Sequence, residues 1–224
     1  IADGIVYVGS YDKHVHAVRA DDGSQVWASW TNSHLFSSPT VANGVVYVGS
    51  ANSLLAIDAR DGGHLWRYQT DRTVHGSPTV EGGFVYVGSY DWHVGKFDAS
   101  TGDLVWSYKT NNIVFSSPAV ANGVVYVGSA DHHVYALDDD DGSFIWSFKT
   151  GHAVHASPIV VDGIVYISSY DDTVYALDAD DGSLVWSLKP GGQFAWSSPT
   201  ISDGILYVAA NSPGRLFAIA IPGQ

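Results

Sequence analysis

Histidine supplies most of the chemistry open to this sequence, because an imidazole titrates near neutral pH, moves protons and binds metals. There are ten. His14, His93 and His133 fall at one recurring spacing, from which Thr173 departs, and His75 and His155 fall at a second, just ahead of a Ser-Pro step. His14 and His16 lie two apart, so on a strand they share a face, a spacing compatible with metal ligation. No third ligand is evident beside them, and no metal site is predicted. The run Asp138 to Gly142 invites a calcium reading. With Gly142 as the sixth residue of an EF-hand loop, however, Leu137 falls first and Phe148 twelfth, where acids are needed, and the match fails. Cysteine is absent, which removes disulfides and thiolate ligands.

The elements that position these residues repeat. Tyrosines recur at 7, 47, 86, 126, 166 and 207, tryptophans at 27, 66, 106, 146 and 186, and prolines at 39, 78, 118, 158 and 199. A fixed period near 40 residues with strand-like content marks an array of similar modules. Each module reads as four short strands, typified by SSPAV, GVVYVGS, HVYALD and SFIWSFK between residues 116 and 149. Both alternating sets of the second strand are apolar, so both faces should be covered. The expected fold is therefore all-β, a β-propeller. The proline, unable to donate to a ladder, is placed on the innermost strand, which is expected to begin near Ser37, Gly76, Ser116 and Ala156.

Counting strands predicts six blades in one domain, 1–224, with repeats at about 1–30, 31–70, 71–110, 111–150, 151–189 and 190–224. The first lacks its inner strand and the last its outer strand. No simple splice of the two ends repairs both, so either the ring closes by packing or the chain is part of a larger propeller. The third strand of the last repeat, near Leu216 to Ile221, is expected to be an exposed edge available for self-association.

The second-to-third hairpins and the fourth-to-first connections should emerge on one face, which then carries eight of the ten histidines together with Trp92, Arg72, Tyr11, Tyr90 and Tyr170. The opposite face carries plain turns. Of the rich face, Phe36, His75, Phe115, His155 and Trp196 enter the innermost strand and should converge at a channel mouth. They are read either as a packed plug, as a cup for a flat or anionic small molecule, or as a weak metal site.

The runs Asp178 to Trp186 (DADDGSLVW) and Asp98 to Trp106 (DASTGDLVW), with their counterparts ending at Trp27, Trp66 and Trp146, resemble the tryptophan-docking motif of pyrroloquinoline-quinone-like (PQQ-like) repeats. The resemblance spans nearly the whole chain. It implies a propeller and either of two classes: non-enzymatic binding or scaffolding propellers, which serve in envelope protein assembly or as sensor domains, or quinoprotein dehydrogenases that hold pyrroloquinoline quinone (PQQ) with calcium. Many of those enzymes use adjacent cysteines and a glutamate calcium ligand; here there is no cysteine, and Glu81, the one glutamate, falls on the plain-turn face. The expectation is a non-enzymatic scaffold that takes a protein or small molecule on its rich face, with no cofactor. An extracytoplasmic location follows from the resemblance alone.

The formal charge of −13 argues against nucleic acid and anionic membranes as partners. Most aspartates sit in the repeat turns, where turn chemistry accounts for them. No apolar span approaches 20 residues, so no membrane insertion is expected. The start at Ile1, without methionine or a signal-like segment, suggests a mature or excised product.

Overall fold

A computed structural model describes residues 1–194, 196–212 and 214–221. Positions 195, 213 and 222–224 of the expected last repeat lie outside them. By compactness the chain divides into two units, Ile1–Ser107 and Tyr108–Gln224.

Among the described residues, six antiparallel meanders contain every strand. The first has three strands, β1 (Ile5–Gly9), β2 (His14–Arg19) and β3 (Gln25–Trp30). The second has four, β4 (Thr40–Ala42), β5 (Val45–Ser50), β6 (Ser53–Asp58) and β7 (His64–Gln69). The third runs through β8 (Thr79–Glu81), β9 (Phe84–Gly88), β10 (His93–Asp98) and β11 (Leu104–Lys109). The fourth comprises β12 (Ala119–Ala121), β13 (Val124–Gly128), β14 (His133–Asp138) and β15 (Phe144–Lys149). The fifth comprises β16 (Ile159–Val161), β17 (Ile164–Ser169), β18 (Thr173–Asp178) and β19 (Leu184–Leu188). The sixth has β20 (Thr200–Ser202), β21 (Ile205–Asn211) and β22 (Gly214–Ala220). These are the six blades of a β-propeller, the first and last three-stranded as expected.

Local chemistry explains the meanders. The first hairpin of blades two and four turns on Asn43-Gly44 and Asn122-Gly123, where both residues hold positive φ, 50° and 76° in one and 52° and 75° in the other. Two such residues in sequence form the turn whose twist matches that of the flanking strands. The inner strands correct the sequence reading in one respect. They begin after each proline, at Thr40, Thr79, Ala119 and Ile159, instead of including it. The reason is the missing donor: proline has no amide to give, and the serine before it points its own amide at the next repeat. Ser38 N donates to Ser77 Oγ at 3.1 Å, Ser117 N to Ser157 Oγ at 2.9 Å and Ser157 N to Ser198 Oγ at 2.9 Å.

Within each unit, neighbouring blades are joined through their outer strands. A register shift falls one residue before each of Trp27, Trp66, Trp146 and Trp186, and a bulge of this kind re-aims the side chain beside it. The indole Nε1 then donates to a carbonyl of the following repeat: Trp27 to Ala59 O at 3.0 Å, Trp66 to Ala99 O at 2.9 Å and Trp146 to Ala179 O at 3.0 Å. The tyrosines of the second strands reach the same three oxygens, Tyr7 at 3.3 Å, Tyr47 at 3.2 Å and Tyr126 at 3.1 Å. Gly62, Gly102 and Gly182 lie under the rings at φ of 78°, 78° and 74°, and a Cβ there would meet indole atoms at 2.9, 2.6 and 2.6 Å. Only glycine suits both the conformation and the approach.

The second and third strands of the middle blades are buried on both faces, as the two-sided apolar pattern requires. The terminal blades differ. Val8 is 47% exposed on β1, and Leu216 is 71% exposed on β22, the edge of its sheet, which ends at Ala220.

Candidate functional site

The second-to-third hairpins of blades one, three, four and five are built alike. An aspartate accepts the backbone amide two residues on: His14 N to Asp12 at 2.9 Å, His93 N to Asp91 at 3.1 Å, His133 N to Asp131 at 3.1 Å and Thr173 N to Asp171 at 3.0 Å. The residue between is left-handed in every case, Lys13, Trp92, His132 and Asp172, with φ of 72°, 77°, 74° and 68°. A side chain costs about 1 kcal/mol or more in that conformation relative to glycine. Trp92 is the bulkiest of the four and a rare occupant of that conformation. The hairpins also hold the connecting segments, through Asn111 N to Asp131 Oδ2 at 2.9 Å and Gly151 N to Asp171 Oδ2 at 2.6 Å.

Of the five residues expected to converge, Phe36 and His75 pack together within the first unit, and Phe115, His155 and Trp196 within the second. In the first, Phe36 stacks on His75 with centroids 5.9 Å apart, His75 stacks on Tyr90 at 5.5 Å, and Tyr11 meets Phe36 edge-on at 5.4 Å. Phe36 and His75 also line an open cleft of about 720 Å3 with Tyr11 and Leu35. In the second, Phe115, His155 and Trp196 touch pairwise, at 4.1 Å for Phe115 with His155, 4.8 Å for Phe115 with Trp196 and 4.6 Å for His155 with Trp196. Tyr170 joins at 4.7 Å from His155, and His152 links Tyr170 to His132, on which it stacks at 5.1 Å. Burial lowers the pKa of His75 and raises those of Tyr90 and Tyr170, which favours the neutral form of each of these three groups. The sequence reading put Tyr11, Tyr90 and Tyr170 on this face but outside the five. Their shared position, directly after the serine that closes the second-strand motif (Ser10, Ser89 and Ser169), was the signal that could have included them.

Two features escaped the sequence reading. In blades four and five Tyr135 and Tyr175 donate their hydroxyls to Asp131 and Asp171, at 2.7 and 2.6 Å. Desolvation, with the carboxylate second, pushes the Tyr175 phenol up to about 12. Gly95 occupies the corresponding position in blade three, and beside it lies a cavity of about 190 Å3 lined by Tyr68, Asp91, His93, Phe97 and Leu104. In blade one the position is His16, whose Nε2 lies 2.8 Å from Asp12 Oδ2. The third polar group that the sequence did not reveal beside His14 and His16 is thus Asp12. The hydrogen bond from His16 holds the Asp12 carboxyl at about 2.

Aspartates of the third-to-fourth turns behave as turn residues. Asp22, Asp61, Asp141 and Asp181 accept the amides of Ser24, Gly63, Ser143 and Ser183 at 2.8 to 2.9 Å.

Blades anchored by tryptophan on the next repeat, with rings gathered at one set of loops, define a repeat β-propeller whose specialised groups are aromatic and imidazole. The family model described as outer membrane protein assembly factor BamB matches residues 1–75, 51–161 and 109–222. The chain belongs to that family of PQQ-like repeat propellers. Among solved structures, BamB from Moraxella catarrhalis is similar over 97% of this chain and 70% of that one, with a TM-score of 0.83 and 21% identity. The computationally designed Ika8 protein is similar over 100% of this chain and 70% of that one, with a TM-score of 0.86 and 20% identity. No curated protein matches the chain.

Proposed function

We propose that the chain is a non-catalytic scaffold that binds polypeptide partners on its hairpin loops, in an extracytoplasmic compartment. The observation that carries this reading is the packing of exposed-face rings around His75 and His155, together with Trp92 at a left-handed position that bulky side chains rarely adopt. Rigid aromatic groups are the usual anchors of recognition surfaces. Membership of a family described by outer membrane protein assembly supports a protein partner. The acidic surface favours partners that are not themselves acidic. No helix among the described residues is long and apolar enough to cross a membrane.

A site for PQQ with calcium is poorly supported by the residues. Calcium takes oxygen ligands, carboxylates above all, whereas Phe36, His75, Phe115, His155 and Trp196 offer none, and Glu81 lies at the exposed end of β8. We propose that the chain works without that cofactor.

Extended peptides with alternating aromatic residues, of the kind found in outer-membrane β-strands, are the probe for the scaffold reading. Fluorescence anisotropy should show binding that the double variant His75→Ala/His155→Ala weakens by about tenfold, roughly 1.4 kcal/mol. Absence of binding by every peptide, or equal affinity in the double variant, would overturn the proposed surface.

A further inference from the structure

We propose that Asp12, His14 and His16 form a binding site for a divalent transition-metal ion of the zinc class. The backbone presents the three groups together. His14 and His16 are alternate residues of β2 and face the same way, and Asp12 lies in the turn just before them. Its carboxylate is fixed by the His14 amide at 2.9 Å, and its own amide donates to Ser10 Oγ at 3.2 Å. The left-handed Lys13 folds the turn back toward the strand.

One candidate ligand atom from each residue lies within 4.8 Å of the other two. A zinc ion bound at about 2.0 to 2.2 Å from each ligand needs them about 3.4 Å apart. Modest ring rotation supplies the difference, and the room exists, since the side chains of Asp12, His14 and His16 are 52%, 35% and 28% exposed. His14 Nδ1 lies 3.0 Å from the Asp12 carbonyl oxygen, the sort of second contact that orients a ligating imidazole.

The repeats supply an internal comparison. Blades three and four keep the aspartate and the first histidine, as Asp91 with His93 and Asp131 with His133, but their next inward position is Gly95 or Tyr135. Only blade one pairs the aspartate with two imidazoles. Tyr135 and Tyr175 pack on Tyr108 and Phe148, ring to ring at 5.8 and 5.4 Å, whereas His16 remains accessible. Two nitrogens and one carboxylate select zinc, copper or nickel over calcium and magnesium, which take oxygen ligands. Three protein ligands leave a fourth position for water or an incoming group.

Calorimetric titration of the metal-free chain with Zn2+ tests the proposal. One equivalent should bind, and both His16→Tyr, which installs the residue of blades four and five, and His14→Thr, which installs that of blade five, should weaken it at least about tenfold. Melting temperatures without metal confirm that each variant folds. No zinc binding by the parent chain, or undiminished binding in both folded variants, would overturn the site; the latter result would assign the ion to other histidines, such as the stacked pair His132 and His152.

Discussion

His75 illustrates how much one position can carry. It is stacked between Phe36 and Tyr90, and burial lowers its pKa. In the unfolded chain the same imidazole takes up a proton near about pH 6.5, whereas the folded protein resists protonation. Stability is therefore complete above that pH and falls as the pH drops toward the folded value. His75→Phe, which copies the residue at Phe36 and Phe115, should narrow the difference in melting temperature between about pH 7.5 and about pH 5; an unchanged difference would mean that other groups set it. A second residue-scale prediction concerns Gly182. An added methyl would meet the Trp146 ring at 2.6 Å in a left-handed backbone, so Gly182→Ala should cost about 2 to 4 kcal/mol in urea unfolding. The five ring residues were legible because each occupies the same place in its repeat. Asp12 was not, since the direction of a turn side chain depends on the conformation of the residue after it, here the left-handed Lys13.

At the scale of elements, the strands follow from alternation and turn chemistry, and the 22 among the described residues match the number that the sequence pattern implies. The proline strands were drawn too long. Their ladder can begin only after the residue without an amide, and the preceding serine amide is committed to the neighbouring repeat. The pocket beside Gly95 is marked in sequence only by a missing tyrosine; its volume depends on the positions of Tyr68 and Phe97, whose rings meet at a tilt with centroids 4.7 Å apart. The edge strand β22 leaves Leu216 largely exposed, and we propose self-association along it. Leu216→Lys should lower the concentration-dependent rise in mass measured by light scattering, and a parent chain of constant monomeric mass would remove this edge as a contact.

At the scale of the molecule, periodicity made the architecture legible, because identical spacing of tyrosine, tryptophan and proline has few structural explanations. Function was less legible. The same repeat supports unrelated tasks, and only departures from the repeat, such as His16 for tyrosine, Gly95 for tyrosine and Trp92 in a turn, distinguish one blade from another. The division into two compact units had no counterpart in the repeat pattern.

The carbonyl oxygens of Ala59, Ala99 and Ala179 each receive a tryptophan 32 or 33 residues upstream and a tyrosine 52 or 53 residues upstream. During synthesis neither donor has its acceptor until the following module has left the ribosome. Assembly of the nascent protein must therefore lag behind translation by about one module, with each newly emerged segment locking the one made before it.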